Sequence, residues 1–167
     1  MEVIRTEKSN KFCGPAALSL LTGRPVDEIV LAVKNLRISD EGIRGYRPLK
    51  GMYNSEMIAV LGQYGFELVR MARECQDVYR LYDARPTLAR WLRAKRQYRQ
   101  EHPDAKILLN VTGHYLVLHG RKLYDNHNPE GVWLRQYRHR RIRVKHAWVC
   151  RQKTELTQDS ERAILES

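Results

Sequence analysis

The chain has 167 residues, 43% hydrophobic and 29% charged, with a formal net charge of +11 and a pI near 9.8. That length suits one domain with its own core, and no apolar run approaches the roughly 18 residues that a membrane-spanning helix needs. Three widely spaced cysteines, Cys13, Cys75 and Cys150, form no Cys-x-x-Cys pair, which argues against both a zinc site of that kind and a disulfide framework.

The opening segment "MEVIRTEKSN" has no apolar core of a signal sequence, so a reducing cytoplasm is the expected compartment. Residues 12–21 then read as a helix. Gly14 and Pro15 lie in its first turn, and Gly23 is its stop. A second helix is predicted from Val26 to Leu36, started by Pro25 and Asp27, with Ile29, Val30 and Val33 facing inward. The glycine-rich stretch "ISDEGIRGYRPLKGMY" (38–53) reads as a loop that borders a cleft. "NSEMIAVLGQYG" is a third helix, capped by Asn54 or Ser55 and ended by Gly65. "FELVRMA" is a short strand. "TLARWLRAKRQYRQEH" is a basic amphipathic helix, with Thr87 as its cap and Leu88, Trp91 and Leu92 inward.

After Pro103 the apolar period shortens. "KILLNV" is a buried strand, and "HYLVLHGRKLYD" is two strands around a glycine turn. "GVWLRQY" and "RIRVKHAWVC" read as further strands. Helices first and an antiparallel sheet second define an α+β domain over residues 1–153. Residues 154–167 read as a tail or a terminal helix.

Cys13 stands where the first helix begins. Backbone N–H groups there lack helical partners, and the positive end of the helix dipole favours the nucleophilic thiolate. Gly14 keeps the backbone clear for a substrate carbonyl. A free cysteine also packs as a small apolar group, so a base is needed to decide. Among six histidines, His139 and His146 lie in a basic run, His102 is placed to be solvated, and His119 and His127 sit near turns. His114 alone opens an apolar strand, directly after Gly113.

Hairpin parity nominates a third residue. With a two-residue turn at Gly120 and Arg121, His119 pairs with Lys122, and His114, Leu116, Leu118, Leu123 and Asp125 share a face. A four-residue turn gives the same parity. A three- or five-residue turn exchanges Asp125 for Asn126. Asp125 and Asn126 also suit a simple turn in "YDNHNPEG".

"NKFCGPAALSLLTG", "GHYLVLHGRKLYDN" and the order Cys, His, Asp resemble the papain-like cysteine peptidase superfamily. The nearest branch is the bacteriocin-processing, double-glycine peptidase-like group, with its small bacterial and phage relatives. The resemblance spans roughly residues 5 to 126. It implies a papain-like fold with Cys13 as nucleophile, His114 as general base and acid, and Asp125 as its orienter. It also implies a protein or peptide substrate and a bacterial or phage-infected cytoplasm. The family carries a Gln six residues before the cysteine. Glu7 stands there in this chain, and Asn10 is the expected substitute as oxyanion donor beside the Cys13 N–H.

Positive charge suggests a second capability. From Trp133 to Thr154 there are eight Lys or Arg and no acid, and another basic cluster runs from Arg85 to Arg99. Arg135, Arg138, Arg140, Arg143 and Lys145, interleaved with Trp133, Tyr137 and Trp148, read as strands that hold a nucleic acid or an acidic protein. The aromatics can equally be core. No metal or organic cofactor is expected, because the cysteines and histidines lack ligand spacing.

Overall fold

The computed structural model describes residues 12–41, 49, 51–71 and 85–153. Helix α1 (Cys13–Thr22) begins after Phe12 and ends at Gly23, whose φ of 73° lets its N–H close on the Ser19 carbonyl at 2.8 Å. Ala17, Leu18, Leu20 and Leu21 are buried almost completely. Helix α2 (Val26–Glu41) runs five residues past its predicted end. The glycine-rich stretch expected as a loop therefore starts helical, because nothing before Gly42 breaks the helical hydrogen bonds.

Helix α3 (Asn54–Gln63) corrects the predicted cap. Tyr53 is the N-cap, and Glu56 accepts its N–H at 2.7 Å. The Asn54 side chain instead reaches the sheet, where its Oδ1 takes the Tyr115 hydroxyl and the Asn110 amide, each at 2.7 Å. Gly65, at φ 77°, turns the chain into β1 (Phe66–Arg70).

The predicted basic helix is two shorter ones, α4 (Leu88–Ala94) and α5 (Arg96–Glu101), separated at Lys95. Thr87 does cap α4, accepting the Arg90 N–H at 3.3 Å. There follow β2 (Lys106–Val111), β3 (His114–His119), β4 (Lys122–Tyr124), β5 (Val132–Trp133) and β6 (Val144–Gln152). The strands form one antiparallel sheet in the order β1-β6-β2-β3-β4-β5. The described chain is thus α+β. Two predicted strands are shorter than expected: "GVWLRQY" keeps two residues and "RIRVKHAWVC" starts at Val144.

Both faces of the sheet are covered. Leu108, Tyr115, Val117, Tyr124 and Trp148 pack with α1, α2 and α3. Ile107, Leu109, Leu116, Leu118 and Leu123 pack with α4, Tyr137 and Val144. That is why β2 and β3 are continuously apolar and not alternating. Lys106 ties the two layers, donating Nζ–H to the Leu21 carbonyl at the end of α1 (3.1 Å).

Gly131 joins the 125–131 turn to β5. Its φ is +77°, and a Cβ there would lie 2.5 Å from Cε1 of the buried Tyr124 ring. Gly131→Ala is expected to destabilise the fold by about 2–3 kcal/mol through combined strain and overpacking, read as a lower urea midpoint at unchanged slope.

Candidate active site

Three elements bring the sequence-nominated residues together. Cys13 is the first residue of α1, which lies across β3. His114 opens β3, and Asp125 directly follows β4. The turn between β3 and β4 has two residues, and His119 pairs with Lys122, Leu118 with Leu123 and Val117 with Tyr124. That register puts Asp125 on the face of His114, one diagonal step away. His114 Nε2 and Asp125 Oδ2 are 3.2 Å apart. The same imidazole stands beside the Cys13 thiol and acts to lower its pKa. Because Nε2 is committed to Asp125, Nδ1 is the nitrogen that serves the sulfur. The Asn126 Nδ2 lies 3.5 Å from His127 Nε2.

Asp125 is 2% exposed and is held from several directions. Its Oδ1 accepts the His127 N–H (2.9 Å), the Asn128 N–H (2.7 Å) and the Asn128 Nδ2 (2.9 Å). Its Oδ2 takes His114 and the hydroxyl of Tyr137, the latter at 3.3 Å. The two expected uses of Asp125, turn former and histidine partner, are one arrangement with an oxygen for each. Tyr137 is the residue that sequence reasoning missed. Its core placement is among the sequence expectations and is what the structure shows, but nothing in the sequence points to its bond with Asp125.

The charges follow from these bonds. Burial works against the Asp125 carboxylate, but hydrogen bonds from His114 and Asn128 and the imidazolium charge outweigh it, bringing the pKa to about 2. Burial also works against a charged His114. Hydrogen bonds to Asp125 and Cys13, with the charges of both, raise it to about 9. For Cys13, burial pushes the thiol up. The hydrogen bond to His114, the Tyr115 N–H, the imidazolium charge and its own N–H prevail, and the pKa falls below the ordinary thiol value. The imidazole is therefore charged at neutrality, and its charge favours the thiolate form of Cys13. Cys150, without a base, is pushed up to about 11 by burial, slightly offset by Lys106.

One wall of the site comes from the end of the glycine-rich stretch. Met52 lies on Gly14: a Cβ at Gly14 would meet Met52 Sδ at 2.7 Å. Gly14 thus makes room for Met52 and not, as expected, for substrate. Tyr115 holds Met52 from the sheet, its hydroxyl 3.3 Å from the Met52 carbonyl. Arg37 holds the same segment from α2, donating to Glu56 (2.6 and 3.1 Å) and to the Gly51 carbonyl (2.6 Å).

Glu7, Asn10 and Cys75 lie outside the described residues. Of the oxyanion donors considered, the Cys13 N–H is the one the structure describes. The basic residues are placed differently from expectation. Arg135, Arg138 and Arg140 lie in turns, Arg143 in an isolated bridge with Thr87, and Lys145 on β6. The chain cannot run there as an alternating strand, because it turns Tyr137 down onto Asp125. Tyr137 and Trp148 are core, whereas Trp133 is 51% exposed and carries Lys122 over its ring. Among the described residues no group of three or more His, Cys, Asp or Glu is placed to hold a metal ion, and no helix is long and apolar enough to cross a membrane.

No family model, no curated protein and no solved structure matches this chain.

Two outcomes test the electrostatics. Iodoacetamide should alkylate Cys13 rapidly below pH 7 and leave Cys150 nearly untouched, and His114→Ala should slow Cys13 by about tenfold or more, read by peptide mass spectrometry. The second concerns pH and stability. His114, raised from 6.5 to about 9, contributes stability that is complete below 6.5 and is lost as pH rises toward 9, and the lowered thiol of Cys13 offsets part of that loss at the alkaline end. Asp125 acts at the acid end: its folded pKa, about 2, lies below the ordinary 3.8. Its contribution is complete above that ordinary value and is lost as pH falls toward 2. Asp125→Asn should cost about 2–3 kcal/mol at pH 6, and the gap from wild type should narrow as the pH is lowered through that range.

Proposed function

We propose that this chain is a papain-like thiol hydrolase, a cysteine peptidase or isopeptidase that works through an acyl-enzyme. The observation that carries the reading is the convergence of Cys13, at the start of α1, on the His114–Asp125 pair (3.2 Å), which raises the imidazole pKa and lowers that of the thiol. A structural cysteine has no need of a base, and Cys150 shows what burial alone does to a thiol in this fold. The α+β architecture, with the cysteine on the first helix and the histidine on the sheet, agrees with the resemblance in "NKFCGPAALSLLTG" and "GHYLVLHGRKLYDN".

The chemistry runs on the chain's own groups. The Cys13 thiolate attacks the substrate carbonyl carbon, and the carbon–oxygen π electrons move to oxygen. The Cys13 N–H at the start of α1 faces that developing charge. His114 gives its Nδ1 proton to the leaving amine, the carbon–nitrogen bond breaks, and a thioester remains on Cys13. Water then attacks the thioester while His114 takes its proton, and acid and thiolate separate. Asp125 keeps Nε2 protonated throughout, so that Nδ1 is the nitrogen that turns over. Tyr137 and the 126–128 turn hold Asp125 in place. A free, low-pKa thiol of this kind suits the reducing cytoplasm expected for the chain.

The test is acylation by p-nitrophenyl acetate at pH 7. A burst of one p-nitrophenolate per chain, with a 42 Da acetyl adduct (roughly, by intact mass) on the peptide that contains Cys13, is the expected result. Cys13→Ala should abolish it while retaining the wild-type circular dichroism, and His114→Ala should reduce it by about 10²-fold or more. An adduct on Cys150 instead, or a burst that survives Cys13→Ala, would sink the assignment.

A further inference from the structure

The two basic clusters of the sequence are brought side by side by the fold. Thr87 and Arg143 form an antiparallel bridge. The N–H groups of Leu88 and Ala89 donate to the carbonyls of Ile142 and Arg140, at 2.8 and 3.0 Å, and the Val144 N–H to that of Pro86, at 2.9 Å. Helix α4 turns Leu88, Trp91 and Leu92 into the core. Arg93 on that helix is exposed, and so are Arg138, Arg140, Arg141 and Arg143. Neither segment contains an Asp or Glu from 85 to 100 or from 131 to 153. Among the described residues no carboxylate forms an ion pair with Arg93, Arg138, Arg140 or Arg141. The result is a continuous face of one sign, whose field attracts anions.

That face adjoins the thiol site. The Thr112 N–H donates to the Arg143 carbonyl at 3.0 Å, two residues before His114. Tyr137, between Arg135 and Arg138, is bonded to Asp125. The residues on the face also choose among anions. Of the five Trp and Tyr residues in these segments, Trp91, Tyr137 and Trp148 are buried, Tyr98 is half-buried against the His102 ring, and the exposed Trp133 already carries Lys122 Nζ over its ring at 5.4 Å, so α4 and residues 138–143 present no free ring on which an unpaired base can stack. Guanidinium groups pair with carboxylates in a matched, two-pronged geometry. A polypeptide can place carboxylates on this face and a backbone carbonyl at Cys13 at the same time.

We propose that the arginine face built from residues 138–143 and α4 recruits an acidic segment of the polypeptide whose carbonyl Cys13 attacks. This rests on the thiol-hydrolase reading and adds the class of substrate. It assigns Arg138, Arg140 and Arg141 to recruitment and not to the chemical step.

The probe is a peptide with a chloroacetyl group on a central lysine, flanked on both sides by glutamates, beside its glutamine counterpart. The glutamate peptide should label Cys13 about tenfold faster at about 50 mM salt, and the advantage should fade by about 300 mM. The triple variant Arg138→Gln, Arg140→Gln, Arg141→Gln should lose the advantage and keep the wild-type iodoacetamide rate at Cys13. Equal rates for the two peptides, beside a fast iodoacetamide rate, overturn the proposal alone. So does an advantage that survives the triple variant. A fluorescein-labelled DNA duplex that binds wild type but not the triple variant, with no preference between peptides, gives the face to nucleic acid and also overturns it. A slow iodoacetamide rate in the wild type is the separate result that removes the hydrolase reading.

Discussion

The site depends on one buried carboxylate. An ionised Asp125 at 2% exposure would cost several kcal/mol in an apolar surround unless its lone pairs were filled and its charge matched. Both conditions are met by its neighbours. The 126–128 turn fills Oδ1 with three donors, and His114 and Tyr137 fill Oδ2. The match of charge requires a proton on Nε2, and that requirement makes the other ring nitrogen available to Cys13. Protonation of the imidazole, orientation of its ring and acidity of the thiol are thus linked consequences of where one carboxylate is buried.

The rest of the fold sets distances around that carboxylate. Helix α1 delivers Cys13 on the face of the sheet shared with Tyr115 and Val117. Asp125 and Tyr137 come from the side shared with Leu116 and Leu123. His114, at the first position of β3, stands at the end of the sheet where both faces are accessible to one ring. The opposite wall is fixed by charge as well as packing. Arg37 on α2 binds Glu56 on α3 and the Gly51 carbonyl together, and Met52 is thereby laid on Gly14 beside the thiol. Burial raises the Tyr115 phenol, and the charges of Cys13 and Glu56 raise it further, to about 12. It therefore remains a donor to Asn54 and Met52 throughout the neutral range.

Net charge in this molecule is a local property. The carboxylates near the site are committed, Asp125 to His114 and Glu56 to Arg37. The arginines of residues 138–143 and of α4 keep their charges at the surface. One field raises the imidazole pKa and lowers that of the thiol at the site, and the other makes the surface beside it positive. Salt screens the second far more than the first, since only the second lies in solvent.

Much of the site could be read before the fold. The helix stop at Gly23, the apolar run that makes β3 and the two-residue turn at Gly120 and Arg121 are local features, each governed by backbone conformation within a few residues. Strand alternation then carried the parity from His114 to Asp125 across the hairpin, because a hairpin is itself a local structure. Tyr137, Arg37 and the role of Asn54 were not legible. Each acts on a partner from 12 to 61 residues away, and no period in the sequence records that partner. The same holds for the arginines: their spacing suits an alternating strand, but the chain turns at Arg135, Arg138 and Arg140 around the buried Tyr137. The sequence by itself determined which residues could carry the chemistry and on which face of the hairpin they lie. Only the tertiary structure decided that α1, packed on the opposite face of the sheet, brings Cys13 to the end of β3 where His114 stands, and that two distant basic segments share one surface, because both are outcomes of packing two layers against a single sheet.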